Sequence, residues 1–192
     1  MGREFELKYR ATPQQQTALR AAFGDFAVTE METTYYDTAD GAMSARKITL
    51  RRRLESGRSI CTVKTPAHGG GRGEWETECD SIEVAISELC KLGCPAELNS
   101  LSAEGLVPIC GARLTRQAGT FTLLDCTVEL ALDQGVLFAG AKEIPLCEIE
   151  VELKSGEPEA AIAFGMELQR GFALTPQRKS KFRRALALAK GE

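Results

Sequence analysis

The sequence predicts an α+β protein in which about eight strands form a largely antiparallel sheet or barrel and helices pack against it. Three observations predict this class. Eight segments have the alternation, or the β-branched and apolar content, that is typical of strands. Short turn signals such as Glu55-Ser56-Gly57-Arg58 join most of them, which favours antiparallel neighbours over parallel strands with helical crossovers. Only a few segments carry helix start and stop signals.

Four helices are expected. Thr12 followed by Pro13 predicts a helix start, and Gly24 predicts its end after Phe23. Ser81 is interpreted as the start of the second helix, and the third begins with a proline and ends before a glycine. The predicted helices span 13–23, 81–93, 158–170 and 181–190.

The strands are expected between these helices. The predicted strands span 3–10, 46–55, 59–65, 74–80, 111–117, 120–132, 136–139 and 146–154. Asp133-Gln134-Gly135 is interpreted as a turn between two of them. The glycine-rich segment 65–73 is interpreted as a mobile hairpin connection. It is not interpreted as a phosphate loop, since it lacks the Gly-Lys-Ser/Thr ending.

Length and composition predict one globular domain over residues 1–192, with 43% apolar and 27% charged residues. No apolar run approaches the roughly 20 residues that span a bilayer, and the start lacks the apolar stretch of a secretory signal, so a cytoplasmic location away from membranes is expected. Seven cysteines, an odd number, fit free thiols better than disulfides. Cys90 and Cys94 form a close pair, but no second pair or histidine follows at zinc-ligand spacing. The formal net charge of −3 argues against nonspecific nucleic-acid binding.

Charged residues alternate with apolar ones along several strands. Because residues i, i+2 and i+4 of a strand share a face, Glu4, Glu6 and Lys8 point one way and their apolar neighbours the other. For a single strand, a solvated outer face explains this pattern. The pattern recurs, however, with acidic residues at Glu148, Glu150, Glu152, Glu74, Glu76 and Glu78, and with basic residues at Arg51, Arg53 and Lys64.

Rows of like charge repel one another unless opposite charge lies between them. Closing the sheet into a barrel would bring the acidic and basic rows together across one cavity and leave the apolar residues outside, under the helices. Carboxylates are suitable ligands for Mg²⁺ or Mn²⁺, and arginine and lysine bind phosphate oxygens. The charge pattern therefore indicates a site for a polyphosphate bound together with a metal ion.

An ordered set of motifs resembles the CYTH or triphosphate tunnel metalloenzyme family. Its opening Glu-x-Glu-x-Lys motif matches Glu4, Glu6 and Lys8, and the resemblance covers essentially the whole chain. The further matching segments are Tyr35-Tyr36-Asp37-Thr38, Leu50-Arg51-Arg52-Arg53, Val63-Lys64, Arg72-Gly73-Glu74-Trp75-Glu76, Leu132-Asp133-Gln134-Gly135, Glu148-Ile149-Glu150-Val151-Glu152-Leu153 and Ser180-Lys181 with Arg184. Within the family the chain looks most similar to the bacterial inorganic triphosphatase branch, through Pro108-Ile109, Arg116 and 131–135.

The resemblance implies an eight-stranded antiparallel β-barrel, the triphosphate tunnel, with helices packed on the outside. It implies Mg²⁺ or Mn²⁺ as cofactor, with Glu4, Glu6, Glu148, Glu150 and Glu152 as metal ligands. The residues that it implies for triphosphate binding are Lys8, Arg51, Arg53, Lys64, Arg72, Arg113, Arg116, Lys181 and Arg184. Arg113 and Arg116 lie on opposite faces of a regular strand, so both point inward only if a bulge intervenes. Catalytic roles are assigned to Lys8, Glu150 and Tyr35, although Tyr35 beside Tyr36 also fits a packing role.

The expected function is hydrolysis of inorganic triphosphate to pyrophosphate and phosphate, with a small-molecule substrate and a monomeric or homodimeric protein. Thiamine triphosphatase or nucleoside triphosphatase activity, class IV adenylate cyclase activity and non-catalytic polyphosphate binding are the alternatives. The His-Phe pair that commonly precedes the first motif in class IV cyclases is absent before Glu4. His68 is the only histidine, which argues against multi-histidine metal chemistry. Trp75 is interpreted as a packing residue rather than as a substrate stacker.

Overall fold

The computed structural model describes residues 5–66 and 72–192, without the side chain of Arg72. In these residues the chain forms nine strands and six helices. The strands are β1 (Glu6–Arg10), β2 (Ala27–Asp37), β3 (Thr49–Glu55), β4 (Arg58–Pro66), β5 (Arg72–Glu78), β6 (Val107–Thr122), β7 (Cys126–Ala139), β8 (Lys142–Gly156) and β9 (Thr175–Pro176). The helices are α1 (Pro13–Phe23), α2 (Ala42–Ala45), α3 (Ile82–Lys91), α4 (Glu97–Ser102), α5 (Pro158–Gly171) and α6 (Lys181–Lys190).

All nine strands belong to one antiparallel sheet, in the order β5-β4-β3-β2-β6-β7-β8-β1-β9. Lys64 on β4 and Lys8 on β1 line the same cavity although five strands lie between β4 and β1 in this order. The sheet therefore curves around its inner face, as a tunnel fold requires. It is not closed among the described residues, because no ladder joins the edge strands β5 and β9. The predicted antiparallel α+β class is confirmed.

The four predicted helices are present, and their starts follow the expected chemistry. Thr12 and Gln15 form a capping box at the start of α1, with Pro13 in its first turn. Ser81 and Ser180 cap α3 and α6 by accepting hydrogen bonds from backbone N–H groups. The short helices α2 and α4 are additions to the predicted set. None of the described helices combines the length and the apolar character that crossing a lipid bilayer requires.

The strand assignments differ from the prediction in several places. The short β9 was not predicted, β6 continues through the gap expected at 118–119, and the chain turns at 123–125, inside the predicted strand 120–132. β2 was not predicted, because its residues lack apolar–polar alternation: one face lines the cavity and the other carries exposed Val28, Glu30 and Glu32. The turn predicted at Asp133-Gln134-Gly135 is wrong, since these residues lie inside β7 and pair with both β6 and β8. Gly135 serves close strand packing, because a Cβ there would meet the Arg113 carbonyl oxygen at 2.1 Å.

Most of the apolar core lies on the convex side of the sheet, outside the cavity. Helices α1 and α5 cover the apolar face of β1, β7 and β8, around Leu130, Leu132 and Ile149. Helices α3 and α4 cover β3 and β4, around Leu50 and Val63. This is the inside-out arrangement that the alternation predicted. The seven cysteines are free thiols, all buried or half-buried.

Helix α6 is the exception, because it packs on the concave face. Its Ala185, Phe182 and Leu186 contact inward-facing apolar residues of β6, β7 and β8, including Leu137 and Leu146. The concave face is thus apolar along one part, which α6 covers, and charged along the other. This packing places the start of α6 next to the charged part.

Candidate active site

The concave face encloses a charged cavity with an inner and an outer part. The inner part, about 130 Å³, is bounded by the start of α6, and the outer part, about 690 Å³, is the larger opening. The two parts adjoin, since they share the lining residues Met31, Arg51, Arg53, Arg116 and Glu152. Side chains from β1, β2, β3, β4, β6, β8 and α6 meet in the inner part.

Three carboxylates form an acidic cluster: Glu150, which lines the inner part of this cavity, and Asp133 and Glu148, which are buried next to it. Each contributes an oxygen within 4.8 Å of those of the other two, so that together they could hold a metal ion. Asp133 on β7 pairs with Glu148 on β8, and both are fully buried. Because Glu150 is two residues further along β8, it lies on the same face. Register and alternation therefore create the cluster.

Basic residues surround the acidic cluster. Arg116 donates to both oxygens of Asp133, each at 2.7 Å, and to Glu150 at 2.6 Å. The Lys181 ammonium contacts Asp133 at 2.7 Å, Glu150 at 2.8 Å, and also Glu148. One turn further along α6, Arg184 donates to Glu148.

The pKa values reflect this pairing. Burial opposes ionisation of Glu150, but the surrounding cations, led by Lys181 and followed by Arg116 and Lys8, outweigh it and lower the pKa. For Lys181, burial again opposes the charged form, and the three carboxylates raise the pKa above its usual value. Both groups are therefore held in their charged forms.

The β1 motif lies beside this cluster. Lys8 pairs with Glu150 in the ladder, and its ammonium contacts Glu6 and lies 4.0 Å from the Glu150 carboxylate. Glu152 faces the cavity further toward its outer part, where it contacts Lys154 at 2.9 Å. Glu4 and the side chain of Arg72 lie outside the described residues, so their predicted roles have no structural counterpart here.

The opposite wall of the cavity is basic. Arg51, Arg53 and Lys64 project inward from β3 and β4. Lys64 contacts Glu74 at 2.9 Å, whereas the Arg51 guanidinium comes no closer than 3.6 Å to a described carboxylate, that of Glu76. The buried Arg51 Nε has no hydrogen-bond partner in the described part of the chain. Burial and the neighbouring Arg51 charge lower the pKa of Arg53, although Glu55 contacts it.

A buried guanidinium Nε without a hydrogen-bond partner, beside a second arginine whose pKa is lowered by burial and by that neighbouring charge, is suited to bind an anion. On the basic wall, the Arg51 Nε is therefore a donor without a partner in the described part of the chain, whereas Arg116 and Lys181 contact the carboxylates of the acidic cluster.

The pairing of β6 with β7 shows which of Arg113 and Arg116 faces the cavity. The pairing of β6 with β7 is regular from Gly111 to Thr122, so alternation places the two arginines on opposite faces. Arg116 enters the cavity. Arg113 points to the outer surface, where it contacts Glu143 and lies 4.8 Å from the centre of the Phe138 ring. The structure does not bring Arg113 to the predicted site.

Tyr35 reaches the inner cavity from β2 and is buried. Its ring also packs against Phe182 of α6, with the ring centres 4.9 Å apart, and burial raises its pKa. Tyr35 therefore packs against α6 and also lines the cavity, whereas the sequence left open which of the two it does.

Two site residues were missed in the sequence. Asp133 was assigned to a turn, although Glu129, Ala131 and Asp133 alternate in a way that marks one strand face. Gln16 of α1 is buried, and its side-chain amide donates to the backbone carbonyls of Asp133 and Glu148 at 3.0 and 3.1 Å. It holds the acidic cluster from behind the sheet, and no sequence signal indicates that contact.

Fold and site together define a class of protein: one with a curved antiparallel sheet whose inner face carries basic side chains on one wall and a carboxylate cluster on the other. A family model described as the CYTH domain matches residues 2–186, and the chain belongs to that family.

Known proteins agree with this assignment. The chain is 30% identical over 171 residues to an inorganic triphosphatase of Haemophilus influenzae, and the match covers 85% of this chain and 49% of that protein. The chain therefore spans about half the length of the curated relative that it matches.

Two solved structures are similar in fold. A Hippeastrum protein, described as an adenylyl cyclase candidate with a dominant triphosphatase activity, has a TM-score of 0.66 at 19% identity and covers 98% of this chain and 96% of its own. The PH1819 protein of Pyrococcus horikoshii has a TM-score of 0.65 at 23% identity, with 96% and 99% covered.

Proposed function

We propose that this protein hydrolyses inorganic triphosphate to pyrophosphate and phosphate with the help of a divalent metal ion. The observation that carries the proposal is that one cavity lies between a basic wall, on which the buried Arg51 Nε has no partner in the described part of the chain, and a carboxylate cluster. The likeness to an inorganic triphosphatase supports it. A linear polyphosphate matches both walls, since its oxygens bind guanidinium groups and divalent cations alike.

The basic wall binds and orients the phosphate chain. Arg51 and Arg53 are two residues apart on one face of β3, and Lys64 on the neighbouring strand extends the same surface. These three cations neutralise the charge on the phosphate oxygens and hold the chain in line for attack. Because little covalent chemistry is required of the protein in phosphoryl transfer, positioning and charge neutralisation supply most of the rate enhancement.

The opposite wall carries the groups near the reacting phosphate. Asp133, Glu148 and Glu150 would hold the metal ion, with Glu6 and Glu152 on the same face as further ligands. When bound, Mg²⁺ or Mn²⁺ supplies charge neutralisation of the phosphate oxygens and a site for water.

Two roles remain, orienting the attacking water and neutralising the leaving oxygen. A carboxylate of β8 orients the attacking water for in-line displacement. Lys8, between Glu6 and Glu150, is placed to neutralise the leaving oxygen. Tyr35, at the inner end of the cavity, is the other candidate for that role.

The lining favours an inorganic substrate. In the described part of the chain, no aromatic side chain lines the outer cavity, where an organic group attached to the phosphates would lie. Trp75 instead packs in the core under α3 on the convex side. A base or thiazole ring would therefore find no stacking partner in this opening.

The test is a product analysis. The purified protein is incubated with Mg²⁺ or Mn²⁺ and, separately, with triphosphate, thiamine triphosphate and ATP, and every product is identified. Phosphate and pyrophosphate formed preferentially from triphosphate support the proposal. Formation of cyclic AMP from ATP would overturn the proposal in favour of a cyclase. Preferred cleavage of an organic triphosphate would overturn the substrate assignment. Tight binding of triphosphate without turnover would favour a binding module.

A further inference from the structure

One lysine occupies the centre of the acidic cluster. The ammonium of Lys181 contacts Asp133 at 2.7 Å, Glu150 at 2.8 Å, and Glu148 as well. Its side chain is only 13% exposed. Lys181 therefore neutralises the same three carboxylates whose oxygens are grouped closely enough to hold a metal ion.

The ammonium and a divalent cation exclude each other from these oxygens. Mg²⁺ binds carboxylate oxygens at about 2.1 Å in a nearly octahedral shell, which leaves no room for an ammonium on the same side of the same atoms. Two cations so close together also repel each other strongly in a site with little water. Lys181 must therefore withdraw before the cluster can take a metal ion.

After it leaves the carboxylates, the Lys181 ammonium can contact other groups in the inner cavity. Lys181 is the first residue of α6 and lines the inner cavity together with Arg51, Arg53 and Lys64. A phosphate chain on the basic wall would offer it new oxygens, so a lysine released from the carboxylates gains partners instead of remaining unpaired. Arg184 and Arg116 also contact the cluster and would balance part of the carboxylate charge.

We propose that Lys181 is an internal counter-ion that occupies the metal site in the metal-free protein and moves to the phosphate chain when a divalent cation binds. It follows that metal and triphosphate binding favour each other, because each stabilises the released position of the same side chain. The inference rests on the metal dependence in the proposed function.

The test measures metal binding without substrate, on the full chain. Mn²⁺ affinity is determined by electron paramagnetic resonance for the wild type, Lys181→Met and Lys179→Met. Lys179 is an exposed lysine two residues away, so its variant controls for the change in net charge. Lys181→Met is expected to bind Mn²⁺ at least about tenfold more tightly, equal to about 1.4 kcal/mol, and Lys179→Met to bind as the wild type does. Equal or weaker binding by folded Lys181→Met would overturn the proposal.

A second measurement uses the wild-type chain and needs no variant. Acetic anhydride labelling followed by mass spectrometry reports the reactivity of each lysine with and without Mg²⁺. Mg²⁺ is expected to accelerate the labelling of Lys181 severalfold relative to Lys179, because a side chain that leaves the three carboxylates is more accessible to the reagent than the 13% exposed side chain that contacts them. An unchanged ratio contradicts the proposal. Neither measurement uses turnover. If both give the expected result but the protein does not hydrolyse triphosphate, only the proposed function is refuted. If the protein hydrolyses triphosphate but both measurements fail, only the role of Lys181 is refuted.

Discussion

Replacement of Glu150 by glutamine removes one negative charge from the acidic cluster while keeping the shape of the side chain. The carboxylate lies 2.6 Å from Arg116, 2.8 Å from Lys181 and 4.0 Å from Lys8, and its side chain is 12% exposed. The amide oxygen can still accept a hydrogen bond, but its NH₂ group faces cations. Three basic residues therefore lose a shared counter-ion in a site that water reaches poorly.

The structure bounds the size of the effect. Removing one partner of a buried ion pair costs about 3–5 kcal/mol, and the lower end applies here because Asp133 still contacts both Arg116 and Lys181. A loss of about 3 kcal/mol leaves a domain with ordinary stability of about 5–15 kcal/mol folded. Activity should suffer more, since removal of a single preorganised electrostatic group costs roughly 10²–10³ in kcat.

Phosphate release from triphosphate is the assay, with circular dichroism and urea unfolding as the measure of folding. Glu143→Gln is the matched control, because Glu143 lies on the outer surface beside Arg113. We expect a drop of at least about 100-fold for Glu150→Gln and wild-type turnover for Glu143→Gln. Wild-type rates from a folded Glu150→Gln protein would refute the placement of the active site at this cluster.

Three further predictions concern the two walls and the support behind them. In calorimetry, Arg51→Met should weaken triphosphate binding at least about tenfold, since the Arg51 guanidinium faces the cavity. Arg52→Met should bind triphosphate as the wild type does, because the Arg52 side chain lies on the outer face and donates to the Asp80 carbonyl. Because the pKa of Glu150 is lowered in the folded protein, its contribution to stability is complete above the unfolded-state value of about 4.3 and is lost as the pH falls below it. Acid unfolding should thus be less steep between about pH 4.5 and 2 in Glu150→Gln than in the wild type, and parallel curves would contradict the pairing. Gln16→Leu should lower the free energy of unfolding by about 1–3 kcal/mol, because the buried carbonyls of Asp133 and Glu148 lose a donor. It should also weaken Mn²⁺ binding. An unchanged Mn²⁺ affinity would mean that Gln16 has a purely structural role.

Much of the fold was predictable because its signals are local. The capping residues Thr12, Ser81 and Ser180 satisfy backbone groups of their own helices, so three helix starts appear directly in the sequence. β2 escaped prediction because the cavity replaces the apolar core on its inner face. The turn predicted around Gly135 failed because this glycine serves close packing with β6, a contact between strands that a local signal cannot express.

The sequence by itself determined which face of each strand is charged, because alternation along a strand depends only on the pleat of the backbone. It thereby predicted the inward carboxylates of β8 and the inward arginines of β3. Tertiary structure alone decided which charges meet. The register of β7 with β8 brings Asp133 to Glu148, the unbroken β6 ladder turns Arg113 away from the cavity, and the packing of α6 inside the curved sheet places Lys181 on the acidic cluster. These contacts join residues far apart in the chain, and they exist only once the sheet has curved around them.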